Sequence, residues 1–172
     1  MASRLIPTQI RAAAVMALTA VFFGFALGGL FGLNEDAIKG RLEASAQAVM
    51  GTAYEGDVAA KNAVVSKSWE YLKRAHMHAG GIGAAALGAI ALLVLMTGMG
   101  TLARTSALAL GAGALIYPAF WLMAGFMAPG LGGTGAAKDA LEFVAIPGAG
   151  LALLGTLGCL IALVRDRQAE SR

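Results

Sequence analysis

The chain has only two histidines, His76 and His78, and they sit at the centre of the stretch Trp69–Gly88, W-E-Y-L-K-R-A-H-M-H-A-G-G-I-G-A-A-A-L-G. Neutral imidazole is a common ligand for zinc, copper and haem iron, so this His-x-His is where metal or cofactor chemistry would be sought first. Glu70 supplies a nearby carboxylate. Helix geometry separates the pair. Residues two apart on a regular helix point about 200° away from each other, so one ion takes both side chains only if the helix starts at or after His78.

The preceding residues predict a helix already running there. Val58, Val65 and Leu72 recur at sevens after Asp57, a suitable N-cap, with Trp69 beside them. The two histidines therefore belong to different faces. Glu70, Arg74 and His78 form a charged ladder expected to meet water, headgroups or a polar partner. Leu72, His76, Gly80, Ala84 and Gly88 form a four-spaced small-residue face expected to pack inside the bundle. His76 is the candidate cofactor ligand, to haem or to a copper or zinc ion, with His78 and Glu70 as further candidate metal ligands. With no histidine elsewhere in the chain, bis-histidine haem within one copy is excluded, and iron would need Met77, another methionine or a partner subunit. The same pattern fits interfacial histidines held by hydrogen bonds with no cofactor, and the glycines around 80–88 admit a neighbouring helix as readily as a macrocycle.

Other motifs carry little chemistry. The glycine runs at 79–83, 111–113 and 130–135 lack a following Gly-Lys-Ser/Thr and a preceding strand, so they are not phosphate loops. Cys159 is the single cysteine, which rules out an internal disulfide, and it lies in an apolar run as a small hydrophobe.

The elements that must position these residues are membrane helices. With 58% hydrophobic and 13% charged residues and a mean hydropathy of +0.72, the chain has too few charges to cover a soluble core. A net charge of +3, widely dispersed, gives no basis for nucleic-acid binding. Four apolar stretches, about 12–33, 77–99, 105–127 and 143–164, each match the ~20 residues that cross the hydrocarbon core. Apart from His78, which sits at the outer end of the second, none contains an Asp, Glu, Lys, Arg or His, so acid–base chemistry belongs to the aqueous ends and a proton-coupled carrier is disfavoured. Gly24, Gly28 and Gly32 recur every four residues in the first span. Pro118 is expected to kink the third near Ala114, and Pro147 to interrupt the fourth.

Between the first two spans, residues 34–76 read as an extramembrane helical hairpin turning near 51–57, rather than a helix lying flat on the interface. The expected fold is thus an all-α integral membrane protein, four transmembrane helices in a Gly/Ala-rich bundle with an outer hairpin between helices 1 and 2. With the N-terminus inside, the inner segments hold six basic and two acidic residues, the outer ones seven basic and eight acidic. The short Arg-anchored inner turn and tails favour both termini cytoplasmic, in an inner membrane.

These features point first to a non-catalytic accessory or assembly subunit of a larger inner-membrane complex, of respiratory or redox type among others. Its partners would be the bilayer and other membrane subunits or further copies of itself. The alternative is a haem- or metal-binding membrane protein using His76. A homo-oligomeric channel for a neutral solute stands third, since no span shows a polar stripe.

Overall fold

The computed structural model describes residues 6–170, with side chains described as far as Arg165. Arg4 and Arg172, counted among the inner charges, lie outside the described residues, as do the side chains of Asp166, Arg167 and Glu170. Every regular element among the described residues is a helix: α1 Thr8–Gln47, α2 Met50–Ala53, α3 Val58–Met96, α4 Thr101–Met127, α5 Thr134–Ala140 and α6 Glu142–Glu170. Four of them, α1, α3, α4 and α6, are long and apolar enough to cross a membrane.

At 40 and 39 residues, α1 and α3 each measure roughly 60 Å at 1.5 Å per residue, twice the ~30 Å of a hydrocarbon core. Each is an apolar helix continued by a charged one, and they run antiparallel as a pair. α1 bends where the two halves meet. Asn34 takes φ −132° and ψ 24° inside the helix, while its side-chain amide donates to the Leu30 carbonyl at 3.1 Å, the local competition with backbone bonding to which asparagine is prone. The chain reverses through α2 and a turn in which Glu55 and Gly56 have positive φ (51° and 80°). Asp57 then caps α3, accepting from the Ala59 and Ala60 N–H groups at 2.8 and 3.0 Å, as its sequence context predicts. Across the hairpin the buried Lys61 ammonium pairs with Glu43.

α4 is the central helix, packed against α1, α3 and α6; α6 rests mainly on α4 and touches α3 only lightly. Small residues set these crossings. A methyl group on Gly111 would lie 2.7 Å from the Ala13 carbonyl oxygen, and one on Gly113 or Gly155 would collide with the backbone of Ala152 or Leu110. Close backbone approach of this kind is how membrane helices gain dispersion contacts without a hydrophobic driving force. The core at the end away from the hairpin is accordingly rich in alanine (Ala13, Ala17, Ala86, Ala107, Ala114), with Ile10, Ile90 and Leu93 filling between. Nearer the hairpin it turns aromatic.

Three expectations need correction. Arg104, the arginine expected in the short inner turn between the second and third spans, lies instead in the first turn of α4, where its Nε donates to the Met99 carbonyl at 2.7 Å. The fourth span is not interrupted at Pro147, because α6 continues through it, as α4 continues through Pro118. The four-spaced face of α3 does not stay buried: Leu72 is fully buried, but Ala84 and Gly88 are exposed. A strict four-residue step drifts about 40° per step on a helix of 3.6 residues per turn, and the buried residues instead follow the true period as Leu72, Ala75, Ala79, Gly83, Ala86, Ile90 and Leu93.

The tip of the hairpin is clamped rather than free. The loop after α4 lies over it, with the buried Tyr54 hydroxyl donating to the Pro129 carbonyl at 2.8 Å. Gly132, at φ 72°, comes so close to Ala53 that a methyl group there would lie 2.6 Å from the Ala53 side chain.

Candidate functional site

The α3 helix carries its two histidines to different neighbours. His76 faces α1, where its Nδ1 lies 2.7 Å from the Gly24 carbonyl oxygen. A carbonyl only accepts, so Nδ1 carries the proton. The ring lies against Gly28, where a methyl group would fall 2.7 Å from Cε1 and 3.0 Å from Nδ1. Gly24 in turn brings α1 against the backbone of Gly80, at 2.7 Å from a would-be Cβ to the Gly80 nitrogen. Gly24 and Gly28 are thus the two glycines of the first span that the bundle uses, while Gly32 has no neighbour within 4 Å. His76 is a clamp between α1 and α3, seated where glycine alone leaves room for a ring.

His78, on the ladder Glu70–Arg74–His78, is half-buried beside α4. Its Nδ1 donates to the Arg74 carbonyl at 2.8 Å, and its ring meets Tyr117 of α4 edge-on at 5.2 Å and Trp121 at 6.2 Å. Arg74 joins the same group, its guanidinium 4.9 Å from the Trp121 ring and 5.5 Å from that of Tyr71. Tyr71 and Trp121 are edge-to-face at 4.8 Å. In the sequence, Tyr117 and Trp121 stand only as aromatics in the far half of the third span, where interfacial aromatics are expected. The missed signal is that 71, 74 and 78 share one helix face, 117 and 121 another, and that the short connection after α3 forces the two helices to be neighbours.

Glu70 belongs to neither group. It is exposed and paired with Lys73 at 2.7 Å, and that hydrogen bond, followed by the charges of Lys73, Lys67 and Arg74, holds its carboxyl below the ordinary glutamate value. Among the described residues no three of His, Cys, Asp and Glu gather in a metal-ligand set. His76, His78 and Glu70 therefore do not converge on one point. If His76 holds a haem or metal ion, the remaining ligands come from outside this cluster.

No protein-family model, curated protein or solved structure matches this chain. Its functional reading rests on its own geometry.

Two further features surround the histidines. Because α6 leans on α4 and hardly touches α3, the three helices leave an open apolar cleft of about 720 Å³, walled by Gly81, Ala85 and Ala89 of α3 and Ala152 and Thr156 of α6, with Tyr117 also in its lining. Beside it, α3 turns a strip of small residues out of the bundle altogether: Gly81, Ala84 and Gly88 are all exposed.

Proposed function

We propose that this chain is a non-catalytic accessory or assembly subunit of a larger inner-membrane complex, which docks a partner's transmembrane helix on the outward face of α3. The observation that carries this reading is the Gly81–Ala84–Gly88 strip. Small residues on a membrane helix let another backbone approach closely, and this chain's own helices leave that strip uncovered while using Gly24, Gly83, Gly111, Gly113 and Gly155 for their own crossings. The clamped hairpin, from Glu35 to Lys73, would add a second contact. Its cleft lined by Lys39, Glu43, Asn62, Ser66 and Trp69 presents both charge signs and hydrogen-bonding groups. Replacing Gly88 by Leu tests the reading. It should reduce co-purification of partner subunits by more than tenfold, while the isolated chain stays folded because Gly88 has no neighbour within 4 Å. Unchanged co-purification would remove the basis for the proposal.

One observation favours the cofactor alternative. With Nδ1–H engaged by Gly24, His76 keeps its Nε2 lone pair, the tautomer that a carbonyl hydrogen bond fixes in metal-ligating histidines. An optical spectrum and metal analysis of the purified chain decide it. A Soret band or stoichiometric metal that His76→Ala abolishes and His78→Ala leaves intact would establish that role.

A further inference from the structure

The cleft and the aromatic cluster meet at one residue. Tyr117 lines the cleft and its ring touches those of His78 at 5.2 Å and Trp121 at 6.1 Å. We propose that together they form a single site for one anionic phospholipid, with an acyl chain in the cleft between α3, α4 and α6 and its phosphate at Arg74, Tyr117 and Trp121. The site shares Gly81 with the docking face, whereas Ala84 and Gly88 do not line the cleft.

The chemistry of the head end selects the ligand. Arg74 is a permanent cation that, among the described residues, has no carboxylate within ion-pair distance; Glu70, the acid nearest in sequence, is taken by Lys73. Its guanidinium is flanked by the Tyr71 and Trp121 rings, which leaves the donor edge of the fork for oxygen acceptors. The indole N–H of Trp121 is buried without a hydrogen-bond partner, an arrangement that costs free energy unless something accepts from it. The Tyr117 hydroxyl is a further donor with no acceptor among the described residues. A permanent cation beside an indole and a phenol ring that each carry an unused donor calls for acceptor oxygens and negative charge, which a phosphodiester supplies. A neutral quinone offers no charge for Arg74, and a zwitterionic headgroup brings an ammonium towards it.

The tail end fits the same molecule. The cleft wall is apolar apart from Tyr117 and Thr156, and its size lies within the roughly 300–1,000 Å³ of sites that hold small molecules by an apolar body and a few polar anchors. The Thr156 hydroxyl is already spent on the Ala152 carbonyl at 2.7 Å, so that wall offers nothing polar to a chain. Aromatic and basic residues at one end of membrane helices mark the headgroup level, which puts the anchors at the depth of a lipid phosphate.

The test uses the full chain, delipidated in detergent and then incubated with phosphatidylglycerol, phosphatidylethanolamine or inorganic phosphate, with occupancy read by native mass spectrometry. One phosphatidylglycerol should be retained per chain, with phosphatidylethanolamine at least tenfold weaker and inorganic phosphate not retained. Arg74→Gln should lower phosphatidylglycerol retention at least tenfold, and Ala85→Trp, which fills the cleft from an exposed position, should do the same with Arg74 intact. Lys138→Gln should change nothing. Equal retention of the two phospholipids, or retention of phosphate alone, would overturn the proposal. So would Arg74→Gln or Ala85→Trp binding like wild type, or a loss in Lys138→Gln as large as in Arg74→Gln.

Discussion

Gly28→Ala is the smallest change that tests how His76 is used. The new methyl would sit 2.7 Å from Cε1 of the imidazole, 3.0 Å from Nδ1 and 3.4 Å from Nε2, so the ring must lift off α1. Lifting it stretches the Nδ1–H bond to Gly24, now 2.7 Å. Hydrogen bonds between membrane helices average ~0.6 kcal/mol, and overpacking at a close contact costs about 1–3 kcal/mol. Against this, alanine gains ~1 kcal/mol over glycine in helix propensity. The net expectation is a destabilisation of about 1–2 kcal/mol. Gly32→Ala meets nothing within 4 Å and keeps only the propensity gain, so the two substitutions on one helix should have opposite signs. Unfolding in mixed micelles, followed by circular dichroism, measures both. In a His76→Ala background the Gly28→Ala penalty should vanish, because the colliding ring is gone. Equal effects at Gly28 and Gly32, or a Gly28 penalty that survives without the imidazole, would refute the clamp.

The remaining predictions concern the ends of the helices. Tyr54→Phe should cost about 1 kcal/mol, because the Pro129 carbonyl would keep only a long 3.4 Å bond from the Gly132 N–H; hydrogen exchange in the 128–133 loop should rise with it. Burial, and then the nearby Glu43 carboxylate, raise the Tyr54 phenol above its ordinary value. Folding therefore favours the neutral form: this stabilisation is whole below the usual tyrosine value of about 10 and is lost as pH climbs through the raised one, so alkaline titration should release the loop from the hairpin, and Tyr54→Phe should remove that transition. Gly132→Ala should destabilise by more than ~1 kcal/mol, since it combines φ 72° with a clash on Ala53; a variant as stable as wild type would mean the loop does not lie on the hairpin. The depressed Glu70 carboxyl predicts a small stabilisation present above the ordinary glutamate value and lost as pH falls through the lowered one, and Lys73→Met should return Glu70 towards that ordinary value in an NMR titration.

The helical character and the four long apolar segments were legible because they depend on composition and length, which a single sequence carries in full. Asp57 was legible as a cap because the cap is local. The faces of α3 were less so. Small residues spaced by four mark a stripe over one or two turns, as Gly24 and Gly28 do, but over four turns the stripe rotates away from its partner, and Ala84 and Gly88 end up outside. The aromatic neighbours of His78 were not legible, because a charged ladder says which residues share a face and not what covers that face. Only the position of α4 shows that the cover is aromatic. The clamp of Tyr54 on Pro129 joins residues 75 positions apart, and nothing local announces it.

The central claim is that the outward strip of α3 holds a partner helix, and photo-crosslinking in native membranes tests it most directly. A photoreactive residue at Ala84 should give one discrete product heavier than two copies of this chain or containing a second protein. The same residue at Leu154, exposed on α6, should give none, and Gly88→Leu should abolish the Ala84 product. Identical patterns at Ala84 and Leu154, or an Ala84 product made only of two copies of this chain, would contradict the subunit reading.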